Sequence, residues 1–131
     1  NFTWPLKGII TGVFGSQRIL NGKPRRPHYG IDIAANKGTK ILAPIKSIVR
    51  MAAVDLYFTG GTIMLDHGHG VTSVYSHLSK VLVQIDKKVK KGQVIGLVGS
   101  TGRSTGPHLD WRVNWFNQRL DPSLLIKSGK K

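Results

Sequence analysis

Glycine and proline interrupt this chain so often that its secondary structure has to consist of short segments. The 131 residues include 16 glycines and six prolines, and neither residue is favoured inside a helix. The runs between them are rich in Val, Ile, Leu and Thr. Several runs alternate with a period of two, whereas none keeps the 3.6-residue period of an amphipathic helix. The pattern therefore predicts an all-β fold with little helix.

Seven segments are predicted as strands, and tight turns separate several of them. The predicted strands are Ile9–Phe14, Ile31–Ala34, Lys46–Val54, Thr62–Leu65, Val71–Tyr75, Val94–Val98 and His108–Val113. Glycine-rich turns are predicted at Asp66–Gly70 and at Val89–Gln93. Single helical turns are predicted only near Leu78–Lys80 and Pro122–Ile126.

The length of the chain indicates one domain with a single core. We assign residues 1–126 to this domain and residues 127–131 to a frayed basic tail. No apolar run approaches the roughly 18–20 residues of a membrane span. The chain opens without an initiator Met or a signal-peptide pattern, so we interpret it as a fragment, and any export signal or membrane anchor would then lie upstream.

Charge and cysteine content narrow the classes of function. The formal net charge is +14, which predicts attraction to polyanions such as nucleic acid, anionic lipid headgroups or acidic wall polymers. The chain has no cysteine. That excludes disulfides, thiolate metal ligands and cysteine nucleophiles.

Histidine and aspartate occur together in a first candidate motif, His28-x-x-x-Asp32. On a straight strand, residues four apart lie about 13 Å from one another, whereas each ligand of a zinc ion must approach it to about 2 Å. A bend at Gly30 would allow His28, on a loop, to approach Asp32 on the following strand.

A second candidate motif is His108-Leu109-Asp110. On a strand, His108 and Asp110 project from one face, and Leu109 points into the core. The motif follows a glycine-rich loop, residues 99–107, of the kind that positions functional groups at a sheet edge. His77 is predicted just past the end of another strand.

Taken together, these motifs resemble the M23 family of zinc metallopeptidases, the lysostaphin-like endopeptidases of bacterial cell walls. The resemblance implies a mainly antiparallel sheet that forms a groove, of the barrel-sandwich-hybrid or duplicated-hybrid-motif type. It runs along nearly the whole chain. The matching segments are Phe14–Arg18, His28–Ala34, Gly38-Thr39, Ala43-Pro44, Asp66–Gly68, Tyr75–Leu78, Val89–Gly96, Gly99–Gly102 and Gly106–Leu109.

The resemblance also implies a set of site residues. One zinc ion per domain would be held by His28, Asp32 and Asp110, with a fourth position open to water, as in catalytic zinc sites. His77 and His108 would flank that water. One would act as the general base and the other would stabilise the oxyanion, and the sequence leaves open which does which.

Asp110 departs from the family, whose closing motif is His-x-His. A carboxylate oxygen is an acceptable zinc ligand, so the substitution does not abolish the site. Two carboxylates and one neutral imidazole would cancel the charge of Zn²⁺ and make it a weaker Lewis acid. The change would slow catalysis or broaden the metal preference towards Mn²⁺.

The resemblance predicts a peptidoglycan substrate and a place outside the cytoplasmic membrane. We expect Arg18, Tyr29 and Arg112 to line the groove and meet acidic stem-peptide groups. His67 and His69 are left out of the site, because a position in an exposed hairpin turn explains them. The chain resembles domains from Gram-negative envelopes more than secreted glycyl-glycine lysins, which favours the periplasm and a direct crosslink.

Three alternative functions stay open. An M23-like domain that has lost catalysis could bind the wall or activate another wall hydrolase. A carrier domain is suggested by Val89–Gly96, which resembles a biotinyl or lipoyl segment, although the expected lysine hairpin is missing. Nucleic-acid binding would depend on charge alone, so we expect no specific nucleic-acid partner.

Overall fold

The computed structural model of the chain describes residues 2–15, 19–20, 23–24, 29–102 and 106–126. Two predicted site residues, His28 and Arg18, and the basic tail 127–131 lie outside the described residues. Among the described residues, no helix is long and apolar enough to cross a membrane.

The described residues form twelve strands and one short 3₁₀ helix, Pro122–Leu125. In chain order the strands are β1 (Ile9–Gly12), β2 (Ile19–Leu20), β3 (Lys23–Pro24), β4 (Ile31–Ala34), β5 (Lys40–Leu42), β6 (Ser47–Leu56), β7 (Gly60–Gly68), β8 (Val71–Val81), β9 (Lys88–Val89), β10 (Val94–Val98), β11 (His108–Trp115) and β12 (Gln118–Leu120).

Ten of these strands form one sheet, whose main path runs β1-β4-β11-β8-β7-β6-β9. β10 joins β8 to β5, β12 continues the sheet from β11, and β2 and β3 form a separate pair. Every pairing between these strands is antiparallel. The prediction of an all-β, mainly antiparallel fold is confirmed.

The alternation of β11 separates the core from the opposite face of the sheet. Leu109, Trp111 and Val113 are fully buried, and residues two apart on a strand share a face. The ring of Trp111 packs against Phe2 at 6.5 Å and against Trp4 at 5.9 Å between centroids. The intervening residues of β11 therefore project away from this core.

The predicted secondary structure differs from the observed one mainly where pairing with a neighbouring strand makes a strand longer than its sequence pattern indicates. The predicted helical turn at Leu78–Lys80 is wrong, because β8 continues through it and pairs Lys80 with Leu97 and Leu78 with Val98. The helical turn near the C-terminus is confirmed as the 3₁₀ helix, whose first turn Asp121 caps by accepting a hydrogen bond from the Ser123 N–H.

His67 is not the exposed turn residue that the sequence predicted. It belongs to β7, and its Nε2 lies 2.6 Å from the hydroxyl of Ser73, which in turn lies 2.7 Å from the hydroxyl of the fully buried Tyr75. Its Nδ1 lies 3.3 Å from the carbonyl oxygen of Lys46. Because a carbonyl only accepts, Nδ1 carries the proton and Nε2 accepts from Ser73. The ring packs edge-on against Phe2.

This environment makes the stability of the fold depend on pH. Burial lowers the pKa of His67 below its usual 6.5, although the Lys46 carbonyl and Asp66 oppose the shift. As the pH falls, His67 is therefore protonated in the unfolded chain before it is protonated in the folded chain. The contribution of neutral His67 to stability is complete above about pH 6.5 and is lost as the pH falls through the folded-state pKa. Urea unfolding from pH 8 to pH 5 should show wild type losing stability relative to His67→Gln. A difference that does not change with pH would contradict this prediction.

Candidate active site

Two of the predicted metal ligands face each other across neighbouring strands. Asp32 on β4 and Asp110 on β11 are directly paired in register, and residues opposed in this way project from the same face. Their relative exposures are only 9% and 8%. Two ionised carboxylates placed in this way repel each other, and a nearby cation offsets that repulsion.

The two predicted catalytic histidines lie side by side at the same place. The ring centroids of His77 and His108 are 5.1 Å apart, and Nε2 of His108 lies 3.7 Å from Oδ1 of Asp32. Each ring is oriented by a backbone carbonyl at Nδ1, from Thr101 at 2.6 Å and Gly106 at 2.8 Å, respectively. Since carbonyls only accept, both Nδ1 atoms donate, and the neutral rings keep a basic Nε2.

His77 reaches this position through an unusual backbone conformation. It lies within β8 rather than past its end, with φ at 67°, a region that non-glycine residues seldom adopt. Its neighbours pair with different strands, Ser76 with Asp110 of β11 and Leu78 with Val98 of β10. His77 therefore sits where β8 passes from one partner to the next, and its N–H donates to the Thr59 carbonyl at 2.7 Å.

An ion pair that was not predicted from the sequence joins Asp110 to Arg112. Nε of Arg112 donates to Oδ1 of Asp110 at 3.0 Å, and Nη2 donates to Oδ2 at 3.2 Å, which is the two-pronged geometry of strong arginine–carboxylate pairs. Burial works against the charge of Arg112, but the hydrogen bond with Asp110 and the attraction of both carboxylates raise its pKa above the usual value. The spacing of two residues on a strand could have revealed this contact.

Glycine backbone closes tightly around both carboxylates. A Cβ at Gly12 of β1 would lie 2.6 Å from Oδ2 of Asp32. A Cβ at Gly30 would lie 2.7 Å from Cγ of Arg112 and 3.1 Å from Oδ1 of Asp110. Gly30 also lies at the bend that the sequence predicted before β4. A side chain would therefore collide with the Asp32 carboxylate at Gly12, and with the Arg112 stem and the Trp111 carbonyl at Gly30.

Tyr29 makes contacts within the protein that account for its position without a bound substrate. The guanidinium of Arg119 lies 4.9 Å over its ring, within the range of a cation–π interaction. The ring of Phe14 lies 6.1 Å away, edge to face. A role of Tyr29 in the groove stays a prediction, as does that of Arg18, which lies outside the described residues.

A wide apolar cleft of about 1310 Å³ lies apart from these polar groups. Its wall includes Phe2, Trp4, Ile10 and Ile33. Ile33 follows Asp32 on β4 and so projects from the opposite face of the strand. The cleft is therefore not the place where the carboxylates and imidazoles meet.

The residues present suit a divalent cation. Within the part of the chain that the structure describes, no three acidic or histidine side chains form a metal group by themselves, and His28 lies outside that part. Carboxylate oxygen and neutral imidazole nitrogen are normal zinc ligands. A carboxylate offers about four lone-pair positions, so the fork of Arg112 leaves Asp110 able to bind an ion together with Asp32.

Comparison with known proteins identifies the family. The sequence model of Peptidase family M23 matches residues 26–122. The chain is 40% identical over 97 residues, 74% of its length, to the DD-carboxypeptidase/endopeptidase Mpg of Neisseria meningitidis. It is 41% identical over 87 residues, 66% of its length, to the peptidoglycan DD-endopeptidase ShyA of Vibrio cholerae.

A solved structure agrees with this match along most of the chain. The crystal structure of a zinc-containing peptidase from Vibrio cholerae superposes with a TM-score of 0.84 at 32% identity, covering 92% of this chain and 38% of the other. The chain spans about a fifth of the length of the curated relatives that it matches. With a family model that covers most of its length, the chain belongs to peptidase family M23.

Proposed function

We propose that this chain is a zinc-dependent endopeptidase domain that hydrolyses peptide crosslinks of bacterial peptidoglycan. The observation that carries the proposal is the opposition of Asp32 and Asp110 beside the His77–His108 pair. Family membership and the names of relatives, which include a peptidoglycan DD-endopeptidase and a zinc-containing peptidase, support the substrate and the metal.

In this proposal the chain's own residues divide the work of hydrolysis. Asp32, Asp110 and His28 would hold the zinc, which would supply the Lewis acidity that a peptide carbonyl and a water nucleophile need near neutral pH. The reaction places the hydroxyl of water on the carbonyl carbon, breaks the C–N bond and delivers a proton to the leaving amine.

The two histidines are the groups that move protons and bind the developing charge. Nε2 of His108 is the basic nitrogen beside the carboxylate Asp32, so we assign it to take the proton from water and pass it to the amine. The ring of His77 lies beside that of His108. We assign His77, in its imidazolium form, to donate a hydrogen bond from Nε2 to the oxyanion while Nδ1 keeps its contact with the Thr101 carbonyl. The carbonyls of Thr101 and Gly106 hold both rings ready for these roles.

We place this activity in the cell envelope, in the periplasm of a Gram-negative bacterium. The relatives Mpg and ShyA come from Neisseria and Vibrio, which supports this compartment. A net charge of +14 would hold the domain near anionic envelope polymers, and this attraction would weaken as salt rises.

Digestion of purified peptidoglycan tests the proposal directly. The expected result is conversion of each crosslinked dimer into two monomers whose summed mass exceeds that of the dimer by one water, detected by mass spectrometry. A chelator should stop the conversion, and added zinc should restore it. Crosslinks that remain intact with zinc-loaded protein would refute the enzymatic function.

The ion pair of Arg112 with Asp110 favours one alternative, a domain that binds the wall without cleaving it. In that case the guanidinium would serve as the permanent cation of the carboxylate pair. Sedimentation of the protein with peptidoglycan, without cleavage and without zinc binding, would support this alternative.

A further inference from the structure

Arg112 and Asp110 pair along one strand, whereas Asp110 and Asp32 pair across two strands. Asp110 faces Asp32 in the register of β4 with β11. Two residues farther along β11, the aliphatic part of Arg112 lies over Gly30, and its guanidinium turns back to reach Asp110. The cation therefore approaches Asp110 from beside the carboxylate pair.

Exposure distinguishes the two members of this ion pair. The side chain of Arg112 is 40% exposed, whereas that of Asp110 is 11% exposed. The guanidinium thus lies on the solvent side of a buried carboxylate. A second cation can reach Asp110 from the side of Asp32 without removing Arg112, because the fork occupies two of the four lone-pair positions.

We propose that Arg112 is the resident cation of the Asp32–Asp110 pair, stabilising it in the metal-free protein and lowering its affinity for zinc through its own positive charge. The inference rests on the proposed function, because it assumes that the carboxylates hold zinc. With Arg112 present, the two carboxylates and the guanidinium together carry a net charge of −1, whereas the two carboxylates alone carry −2. A bound divalent cation then leaves the site at +1, which preserves its Lewis acidity.

Two measurable consequences follow for Arg112→Met, which keeps the stem and removes the charge. Without zinc, the variant leaves two buried carboxylates facing each other, so it should unfold at a lower urea concentration than wild type. With zinc, the lost repulsion should tighten binding by at least about tenfold, the size expected for one unit charge near a divalent ion.

The experiment measures zinc affinity by competition with a fluorescent chelator at pH 8, and urea unfolding with and without saturating zinc. We expect Arg112→Met to bind zinc more tightly than wild type and to regain its lost stability when zinc saturates it. In an Asp110→Asn background, Arg112→Met should no longer lower the stability of the metal-free protein. If the arginine were purely structural, the stability difference between Arg112→Met and wild type would be the same with and without zinc.

Arg112→Lys keeps the inference testable if the methionine variant does not fold. Lysine keeps the charge and loses the fork, so its zinc affinity should stay within a few-fold of wild type. Unchanged or weaker zinc binding by Arg112→Met, or a tenfold gain by Arg112→Lys, would overturn the inference and leave the proposed function standing. Folded wild type that binds no zinc would overturn both.

Discussion

Replacing Asp32 by Asn should abolish both zinc binding and cleavage of peptidoglycan while leaving the fold intact. The amide has the same size as the carboxylate but lacks its charge and one of its acceptor atoms. Removal of a supporting partner outside the ligand shell already costs 10–100-fold in metal affinity or activity. We therefore expect the loss of Asp32, a direct ligand in our proposal, to weaken zinc binding by more than about 100-fold.

The metal-free stability of Asp32→Asn provides an internal check on the fold. Asp32 faces Asp110 at close range in a buried position, so neutralising it removes a repulsion. In urea unfolding, the free energy of unfolding of metal-free Asp32→Asn should therefore be at least as large as that of metal-free wild type. Loss of activity would then be a property of the site.

Asp55→Asn is the matched control for this prediction. Asp55 lies on β6, is exposed and takes no part in the site. Zinc per chain, measured by atomic absorption, and crosslink cleavage, measured by mass spectrometry, should both match wild type in this variant. Asp32→Asn that keeps a full equivalent of zinc and normal cleavage would remove Asp32 from the ligand set.

The sequence could predict those parts of the molecule that depend on short-range rules. The alternation of His108–Val113 predicted both the buried face of β11 and the common face of His108 and Asp110. The predicted first and last residues of the strands Ile31–Ala34 and Val94–Val98 are confirmed, because a turn or a glycine lies close to the ends of both segments. The bend at Gly30 could be predicted because His28 and Asp32 would lie too far apart on a straight strand to bind the same ion.

Other features depend on contacts between distant parts of the chain, which a pattern does not contain. Lys80 extends β8 because Leu97 of β10 pairs with it, although the local sequence reads as a turn. His67 reads as a turn residue beside two glycines, but its ring completes a buried hydrogen-bond chain with Ser73 and Tyr75. Strand pairing and burial override local propensity in both places.

The positive φ of His77 is the least predictable feature of the site. Only the register of three strands around it accounts for the conformation, since Ser76 pairs with β11 and Leu78 with β10. Strained residues of this kind are held in place by surrounding structure and cluster at functional sites. The sequence assigned His77 to the site by resemblance alone, and it gave no sign of this backbone conformation.

His77→Asn should lower kcat by about 10²–10⁴-fold without removing zinc, which is the usual contribution of a positioned proton-transfer or hydrogen-bonding group. Asparagine tolerates the left-handed conformation that His77 adopts, so the backbone of β8 should keep its conformation. Zinc content per chain should equal that of wild type, because His77 is not among the proposed ligands. The measurement is the initial rate of crosslink cleavage at saturating peptidoglycan.

His69→Asn is the control that isolates this effect. His69 is also a histidine with positive φ, at 53°, but it is exposed in the β7–β8 turn and outside the site, so its variant should cleave at the wild-type rate. Because His77 and His108 are assigned to the same transition state, adding His108→Asn to His77→Asn should cost much less than the product of the two single effects. If the loss of kcat in the double variant equals the product of the two single losses, the two imidazoles act independently. If the kcat of His77→Asn lies within a few-fold of wild type, His77 takes no part in the chemistry.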